Sequence, residues 1–415
     1  MTRARAYALV AAACALPRVA VVLVERGRIL DRFTEKSDQI AQTFVDSGTF
    51  GFLPDVPTAY TQPLYGYFLS SIYFLFGRSW LAVGLAQTLV AVATALLVYE
   101  LGRRVASSRA GLVGALLATL HPYLVWHDVH VNREVLDGLL AVGLTLLTMI
   151  AAERRSWTLA VGLGLVGGLA ILGNARLVLL PVALVLYLAW RWRDARATLR
   201  AAALVAVAAA VAIAPWVIRN KIELGCYALT TDSRALWKAN NPATYETLER
   251  GLWIDDVPEL PGAPQSPEFA AAVALDRGID VPVDECAQMR LYRDEVTEFW
   301  RQQPEKKAKL ALQATRMLWN PFERAGESAK EDTGFSAVAR EWAEPVYVSA
   351  VFVLALGGAL LAGRRFVVLA VVLLGYQTLA AMVFAGTPRY RAPWDFLLAL
   401  LAGIALVRLW ERRRR

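Results

Sequence analysis

Ten apolar segments, each about 17–22 residues long and nearly free of charge, constrain the fold of this chain more than any other feature. A helix of about 20 residues crosses the hydrocarbon core of a bilayer, which is about 30 Å thick. The segments do not alternate between apolar and polar residues, as the strands of a membrane barrel do. The sequence therefore predicts an all-α polytopic membrane protein and excludes a soluble enzyme with a single core.

The overall composition supports this prediction. Hydrophobic residues make up 57% of the 415 positions and charged residues 19%, whereas soluble domains have about 45–50% and about 25%. The predicted spans are Ala6–Val24, Trp80–Leu101, Ala110–Trp126, Val135–Ala152, Trp157–Leu172, Leu177–Trp192, Ala201–Val217, Pro345–Leu361, Phe366–Phe384 and Trp394–Leu409. The first segment could also be a signal peptide, but no small-residue cleavage site follows it and Arg18 interrupts it, so we expect a retained span.

Clusters of arginine in alternate loops predict the orientation of the spans. They are Arg3 and Arg5; Arg103, Arg104 and Arg109; Arg154 and Arg155; Arg191, Arg193, Arg196 and Arg200; Arg364 and Arg365; and Arg408 with Arg412–Arg415. Short basic loops stay in the cytoplasm. We therefore expect a multi-pass protein of the plasma (inner) membrane with both termini in the cytoplasm.

The spans divide the chain into three parts. Residues 1–217 form an N-terminal membrane module of about seven spans with an outer first loop, residues 25–79. Residues 218–344 form a mixed extracytoplasmic region, and residues 345–415 form a C-terminal membrane module of three spans. The net charge of +8 resides mainly in cytoplasmic loops that face anionic lipid, so membrane lipid is an expected partner and nucleic acid is not.

Two helices are predicted on the outer side without crossing the membrane. The aromatic stretch Leu64–Phe76 follows Gln62 and Pro63 and would lie in the interface, where tyrosine is favoured. It would either line a groove for a lipid chain or serve as a simple anchor. The second helix, Glu305–Trp319, follows Pro304, a residue suited to a first helical turn. Close helix packing is predicted for the span Trp157–Leu172, which contains Gly162, Gly164, Gly167 and Gly168.

The first loop carries the candidate catalytic base, Asp38. Ser37 is predicted to cap a helix that begins at Asp38, which would place the carboxylate in the first turn beside the membrane. There it could accept a proton from an acceptor hydroxyl. The alternative is that Asp38 and its charged neighbours are solvated loop residues.

Arginines on the predicted outer side are candidate phosphate ligands, because a guanidinium group presents a rigid fork of donors. Arg176 lies at one outer turn, and Arg389, Tyr390 and Arg391 lie at the last one. Pairing with carboxylates or snorkelling at a helix end would explain them equally well. Arg133 and Glu134 stand where the fourth span enters the bilayer, and ionisable groups at that depth tend to face a polar cavity.

Two further features leave alternatives open. His127, Asp128 and His130 could bind a metal ion or form an ordinary polar turn. Cys226 and Cys286 both lie in the predicted outer region, where they would be either bridged or free thiols.

An ordered set of motifs resembles the GT-C-type membrane glycosyltransferases, in particular the bacterial protein mannosyltransferases and lipid A aminoarabinose transferases that use polyprenyl-phosphate sugars. The matching stretches are Asp38-Gln39-Ile40-Ala41, Gln62-Pro63-Leu64-Tyr65, Arg133-Glu134-Val135-Leu136, Gly167-Gly168-Leu169-Ala170 leading to Arg176, Pro215-Trp216-Val217-Ile218-Arg219-Asn220, Leu236-Trp237-Lys238-Ala239-Asn240-Asn241-Pro242 and Arg389-Tyr390-Arg391-Ala392-Pro393. They run along nearly the whole chain in the family's order.

The resemblance implies a GT-C-like fold and an inverting glycosyltransferase of the hexosyl- or pentosyltransferase class. It would move a monosaccharide from a polyprenyl-phosphate-linked donor to an extracytoplasmic glycan, lipid or protein. Asp38 would be the base; Arg389, Arg391 and Arg176 would bind the donor phosphate. The substrate cavity would be lined by Gln62, Tyr65, Arg133, Glu134 and Tyr390.

The chain departs from the family pattern at three positions. Gln39 stands where the acidic motif usually has glutamate, which makes a bound divalent metal doubtful. Gln62 replaces a lysine found in some relatives, and Asp395 replaces a proline. Two alternative functions therefore remain, namely a transporter or flippase for a lipid-linked sugar and a non-catalytic scaffold of the same fold.

Overall fold

The protein is built almost entirely from helices. The computed structural model describes residues 2–31, 35–279, 281, 283–322 and 339–414. Within these ranges the sole β pairing is an isolated bridge between Leu53 and Val56. The predicted all-α class is therefore confirmed.

The N-terminal part of the chain has the following helices, three of which lie in the first loop. They are α1 (Arg3–Glu25), α2 (Arg28–Asp31), α3 (Ser37–Ser47), α4 (Pro63–Phe76), α5 (Trp80–Val105), α6 (Ser108–Thr119), α7 (Pro122–His127), α8 (Glu134–Arg154), α9 (Trp157–Gly173), α10 (Leu180–Trp192) and α11 (Ala195–Leu224). With 30 residues, α11 is about 45 Å long. It therefore extends beyond the hydrocarbon core and carries the start of the next region.

The remaining helices belong to the region after α11 and to the C-terminal part of the chain. They are α12 (Arg234–Lys238), α13 (Thr244–Glu249), α14 (Pro267–Arg277), α15 (Glu285–Gln302), α16 (Pro304–Trp319), α17 (Glu344–Leu361), α18 (Arg364–Val383), α19 (Pro388–Arg391) and α20 (Phe396–Arg413). The predicted helices at Leu64–Phe76 and Glu305–Trp319 correspond to α4 and α16, each with its proline as first residue.

The predicted number of ten spans is not confirmed. Seven of the described helices are long and apolar enough to cross a membrane, and a bent pair raises the number to eight. The predicted span Ala110–Trp126 is divided between α6 and α7, because Pro122 has no N–H group with which to continue a helix. In addition, α9 has only 17 residues, and the last span is bent by 57° between Pro388–Trp394 and Phe396–Arg413.

A buried arginine stabilises the break between α6 and α7. The side chain of Arg18, 2% exposed, donates to the carbonyl oxygen of Thr119 at 3.0 Å and to that of Cys14 at 3.1 Å. Its other nitrogens donate to the Asp128 carboxylate at 2.6 and 2.9 Å. The carbonyl of the last residue in α6 has no partner within its helix, so Arg18 supplies a donor and Asp128 neutralises its charge.

Small residues allow α9 and α11 to approach closely. A Cβ atom added to Gly164 would lie 2.4 Å from the Val205 carbonyl oxygen, and one added to Gly168 would lie 2.7 Å from the Cβ of Ala212. The packing role predicted for these two glycines is confirmed. A Cβ atom added to Gly162 would have no neighbouring atom within 4 Å, so Gly162 does not take part in the contact.

Gly168→Val is expected to lower the free energy of unfolding by about 1–3 kcal/mol, the usual cost of overpacking a tight contact. Thermal unfolding of the purified protein in detergent would measure the effect. Gly162→Val is the matched control, because it adds the same side chain to the same helix in open space. Equal melting temperatures for the two variants would contradict the packing argument.

Asn240, from the motif that spans residues 236–242, joins several helices of the region after α11. Its amide nitrogen donates to the carbonyl oxygens of Leu236 at 2.8 Å and Val383 at 2.9 Å. Its amide oxygen accepts from Trp300 Nε1 at 3.0 Å and from Lys307 Nζ at 2.5 Å. Asn240 is completely buried, so this side chain fixes α12, α15, α16 and the end of α18 relative to one another.

Lys307, which donates to Asn240, makes the stability of the packing between these helices depend on pH. Burial lowers the pKa of Lys307 to about 8, whereas the unfolded chain keeps a pKa of about 10.4. Between these values the unfolded state binds more protons, so the folded state gains stability as pH rises from about 8 to about 10.4. We expect the stability difference between wild type and Lys307→Met to shift in favour of wild type over this interval, as measured by thermal unfolding. A difference that stays constant with pH would contradict the assignment.

A disulfide between Cys226 and Cys286 links the residues after α11 to the start of α15, with a Cα–Cα distance of 6.1 Å. Of the two alternatives that the sequence left open for these cysteines, the structure has the bridge. Cys14 is a buried free thiol in α1.

Candidate active site

Five polar side chains from separate parts of the chain meet at one end of the spans, the side predicted to be outer. Arg389 donates through Nε to Glu134 at 2.5 Å and through Nη2 to Glu35. Arg133 donates through Nη1 to Gln62 Oε1 at 2.7 Å, and its Nε lies 4.0 Å from the Glu35 carboxylate. We call these five residues the arginine cluster. Four of them, all except Glu35, are predicted site residues.

Helix starts bring these side chains together. Pro63 is the first residue of α4, which leaves Gln62 in the extended conformation just before it. Glu134 is the first residue of α8 and follows Arg133. The amino-terminal ends of helices carry partial positive charge. The start of α8 therefore adds partial positive charge beside the two arginines of the cluster.

Charge balance in the arginine cluster is close to neutral. Two guanidinium groups face the carboxylates of Glu35 and Glu134, and the Glu134 side chain is only 3% exposed. Burial raises the pKa of Glu35, while the neighbouring Arg133 and Arg389 act in the opposite direction. Removal of one charged partner would therefore leave another charge buried and unpaired, which is costly.

Arg176 lies beside the arginine cluster and stacks on Tyr390. The guanidinium carbon is 3.2 Å from the centre of the Tyr390 ring. Asn174 accepts from the backbone N–H of Arg176 and donates to Asp137 at 2.9 Å. The buried Nη1 of Arg176 has no hydrogen-bond partner among the described residues. This nitrogen is a donor available to a ligand.

Asp38 lies in α3, close to the arginine cluster but with its own partners. Its carboxylate accepts from Tyr73 at 2.5 Å, from Arg78 at 2.8 and 3.3 Å and from Gln42 at 3.1 Å. The hydrogen bonds to Asp38 raise the pKa of Arg78. The backbone N–H of Asp38 donates to the carbonyl oxygen of Glu35 at 2.9 Å, so one short segment connects Asp38 to the arginine cluster.

The predicted cap of this helix is wrong. α3 begins at Ser37 itself, and the residue before it, Lys36, makes no side-chain cap bond. Ser37 thus occupies the first turn, and its side chain does not stand at the capping position. Asp38 nevertheless lies in the first turn, as predicted.

The two remaining predicted site residues bind protein groups outside the arginine cluster. Arg391, 1% exposed, donates to Asp395 at 3.0 and 3.2 Å and to the carbonyl oxygen of Leu318 at 2.6 Å. Tyr65 is also buried and donates to Gln87 at 2.7 Å. In this structure Arg391 is held by protein groups.

The possible metal site at the turn after α7 is not supported. Asp128 binds Arg18, His127 stacks on Tyr123 with ring centres 3.8 Å apart, and His130 stacks on Trp126 at 3.7 Å. Over the described part of the chain, no group of three His, Cys, Asp or Glu side chains is arranged to hold a metal ion. The polar-turn interpretation fits these contacts.

Sequence reasoning missed Arg78 and Tyr73, and it did not include Glu35 in the predicted site. Arg78 precedes α5 on the predicted outer side, against the usual bias of basic residues towards the cytoplasm. A predicted outer position was the reason for selecting Arg176 and Arg389, so the same criterion could have identified Arg78.

A family model described as dolichyl-phosphate-mannose-protein mannosyltransferase matches residues 55–218, which is less than half of the chain. No curated protein sequence matches the chain. The matched region begins after α3 and ends within α11. It therefore contains Gln62, Arg133, Glu134 and Arg176 but neither Asp38 nor Arg389.

Solved structures that resemble this chain in fold have low sequence identity to it. The archaeal oligosaccharyltransferase AglB from Archaeoglobus fulgidus, in complex with an inhibitory peptide and a dolichol-phosphate, is 13% identical with a TM-score of 0.53; the match covers 98% of this chain and 50% of that one. Its apo form is 12% identical with a TM-score of 0.52, covering 98% and 51%. ArnT from Cupriavidus metallidurans, bound to undecaprenyl phosphate, is 16% identical with a TM-score of 0.43, covering 94% and 77%. The present chain spans about half the length of the oligosaccharyltransferase, and that likeness shows a shared fold.

Proposed function

We propose that this chain, which has the fold of the GT-C-type membrane glycosyltransferases, transfers a monosaccharide from a polyprenyl-phosphate-linked donor to an acceptor hydroxyl outside the cytoplasm. The shared fold and the family-model match over residues 55–218 support the resemblance found in the motifs. The reaction is a hexosyl or pentosyl transfer with inversion at the anomeric carbon.

One observation carries the proposal. The arginine cluster assembles Arg389, Arg133 and the two carboxylates at the membrane end where a lipid-borne phosphate would arrive, and Arg176 Nη1 beside it is an unused buried donor. Guanidinium groups bind phosphate through parallel hydrogen bonds. The solved relative in complex with a dolichol-phosphate agrees with such a ligand.

In the proposed mechanism, the oxygen of the acceptor hydroxyl attacks the anomeric carbon of the donor. Asp38 accepts the hydroxyl proton as the new bond forms. The bond between the anomeric carbon and the phosphate oxygen breaks, and its electron pair leaves with the polyprenyl phosphate. Asp38 suits the role of base because Arg78 and Tyr73 orient its carboxylate, and the acceptor hydroxyl would replace its bond from Gln42.

The leaving phosphate gains charge during this step, and fixed positive groups lower the cost of that change. Arg389 and Arg176 would supply them. Glu35 and Glu134 hold Arg389 in position, and the phosphate would displace Glu35, the more exposed of the two. Arg391 has a different role in this proposal, because its pair with Asp395 stabilises the bend before α20.

The proposed location is the plasma membrane, with both termini in the cytoplasm. Its support is the alternation of arginine-rich loops along the sequence. This orientation puts Asp38 and the arginine cluster on the outer face, where they would meet a donor that has already crossed the bilayer.

The test uses purified protein in liposomes with a radiolabelled polyprenyl-phosphate sugar and an envelope extract as the source of acceptor. We expect the label to leave the lipid and enter the acceptor fraction. A transporter or flippase would move the donor between leaflets unchanged, and a non-catalytic scaffold would do neither. Either of those results would refute the proposed transfer.

A further inference from the structure

Glu285, at the start of α15, has a buried carboxylate that accepts hydrogen bonds from the first loop. One oxygen accepts from the Thr58 hydroxyl at 2.5 Å. The other accepts from the backbone N–H of Ala59 at 3.1 Å and from the Thr231 hydroxyl at 2.6 Å. Glu285 is 7% exposed, and all three donors are uncharged. The Glu285 carboxylate therefore has three donors, and two of them come from the first loop, 226 and 227 residues earlier in the chain.

The bound segment leads directly to the arginine cluster. The carbonyl oxygen of Ala59 accepts from the N–H of Thr231 at 2.9 Å, so both backbone groups of Ala59 are engaged. Arg219 donates to the carbonyl oxygen of Thr58 at 2.8 Å. Three residues after Ala59 comes Gln62, whose side chain accepts from Arg133. A displacement of residues 58–60 would therefore move Gln62 and release Arg133.

The disulfide holds Glu285 in its place. Cys286 is the next residue, and its bond to Cys226 fixes the start of α15 to the end of α11. α11 also carries Arg219, so residues 58–60 are held by two groups from elements that the disulfide links. The position of the first loop thus depends on a contact made by the region after α11.

We propose that Glu285 is a positioning residue that fixes residues 58–62 and acts on the arginine cluster through Gln62, with the Cys226–Cys286 disulfide keeping Glu285 in register. The effect on the first loop is independent of the activity of the chain. The effect on donor binding rests on the proposed function, so the two are tested separately.

Hydrogen exchange of the full chain in nanodiscs tests the first effect. In Glu285→Gln the amide can no longer accept from all three donors, and in Thr231→Val one donor is removed. We expect both variants to exchange the amides of residues 58–62 at least about tenfold faster than wild type, because a lost bond to a charged group weakens local stability by that order. Asp294→Asn, at an exposed position of the same helix, is the control and should leave the exchange unchanged.

Reduction of the wild-type protein should accelerate exchange in the same segment. Unchanged exchange at residues 58–62 in both variants would overturn the role of Glu285, and unchanged exchange after reduction would overturn the role of the disulfide. If Glu285→Gln does not fold, Thr231→Val decides the first question alone.

A double-mutant cycle tests whether Glu285 acts through Gln62. The measurement is the affinity of the full chain for undecaprenyl phosphate, determined by native mass spectrometry. We expect Glu285→Gln to weaken binding by about threefold or more and to add nothing in a Gln62→Ala background, since both changes would interrupt one chain of contacts. Additive losses would overturn the route through Gln62. If wild type does not bind this lipid, the proposed function fails, and hydrogen exchange decides the structural claim by itself.

Discussion

Asp38→Asn is expected to fold and to bind the donor but to transfer sugar at least about a hundredfold more slowly, because the loss of a positioned base costs about 10²–10⁴-fold in rate. Asparagine keeps the size of the side chain and can still accept from Tyr73. It has no carboxylate to take the proton of the acceptor. Turnover of a defined donor and acceptor under saturating conditions would measure the change.

The matched control is Asp46→Asn, at an exposed position of the same helix, which should leave turnover nearly unchanged. Because Asp38→Asn also weakens the pair with Arg78, its melting temperature must be measured in parallel. A folded Asp38→Asn variant with normal turnover would show that another group is the base, and Glu35 would be the next candidate.

Arg389→Gln is expected to have the second large effect. Removal of the guanidinium leaves Glu134 buried without its main partner, and breaking such a pair costs about 3–5 kcal/mol. Transfer should fall by about 10²–10³-fold, the usual effect of losing one group that stabilises charge in the transition state. Thermal unfolding and turnover would be measured on the same preparation.

A double variant separates these two effects. Arg389→Gln with Glu134→Gln removes both charges, so much of the lost stability should return while transfer stays low. Arg316→Gln is the control for arginine removal in general, because Arg316 is exposed and pairs with Glu249 on the surface, where such pairs contribute little. Recovery of transfer together with stability in the double variant would refute the phosphate-binding role of Arg389.

The sequence predicted the helices well where a pattern is local. Pro63 and Pro304 marked the starts of α4 and α16, and glycines at 164 and 168 marked a close helix contact. It failed at the break between α6 and α7. An apolar run continues through residues 110–126, and hydropathy does not register that Arg18, from another helix, satisfies the backbone at the break.

The sequence also identified only some of the residues that meet at the candidate site, because contacts between distant helices cannot be read from sequence spacing. A predicted position on the outer side identified Arg176, Arg389 and Arg391 as candidate phosphate ligands, but sequence spacing could not distinguish Arg389 from Arg391. The two lie two residues apart in a short helix, so their side chains leave it in different directions. Arg389 reaches Glu134, whereas Arg391 turns to Asp395. The tertiary arrangement therefore gives the two arginines different partners, which their spacing in the sequence does not reveal.

Arg18 also affects how the chain is inserted during synthesis. On translocon scales, an arginine at the centre of a single helix costs about 2.5–3.5 kcal/mol, and its partners here lie 101 and 110 residues later in the chain. When α1 leaves the ribosome, neither the Thr119 carbonyl nor the Asp128 carboxylate has been made. We therefore expect the first helix to stay in a polar setting at the translocon or near the lipid headgroups until α6 and α7 have been made. Its final depth in the bilayer would then depend on a segment translated long after it.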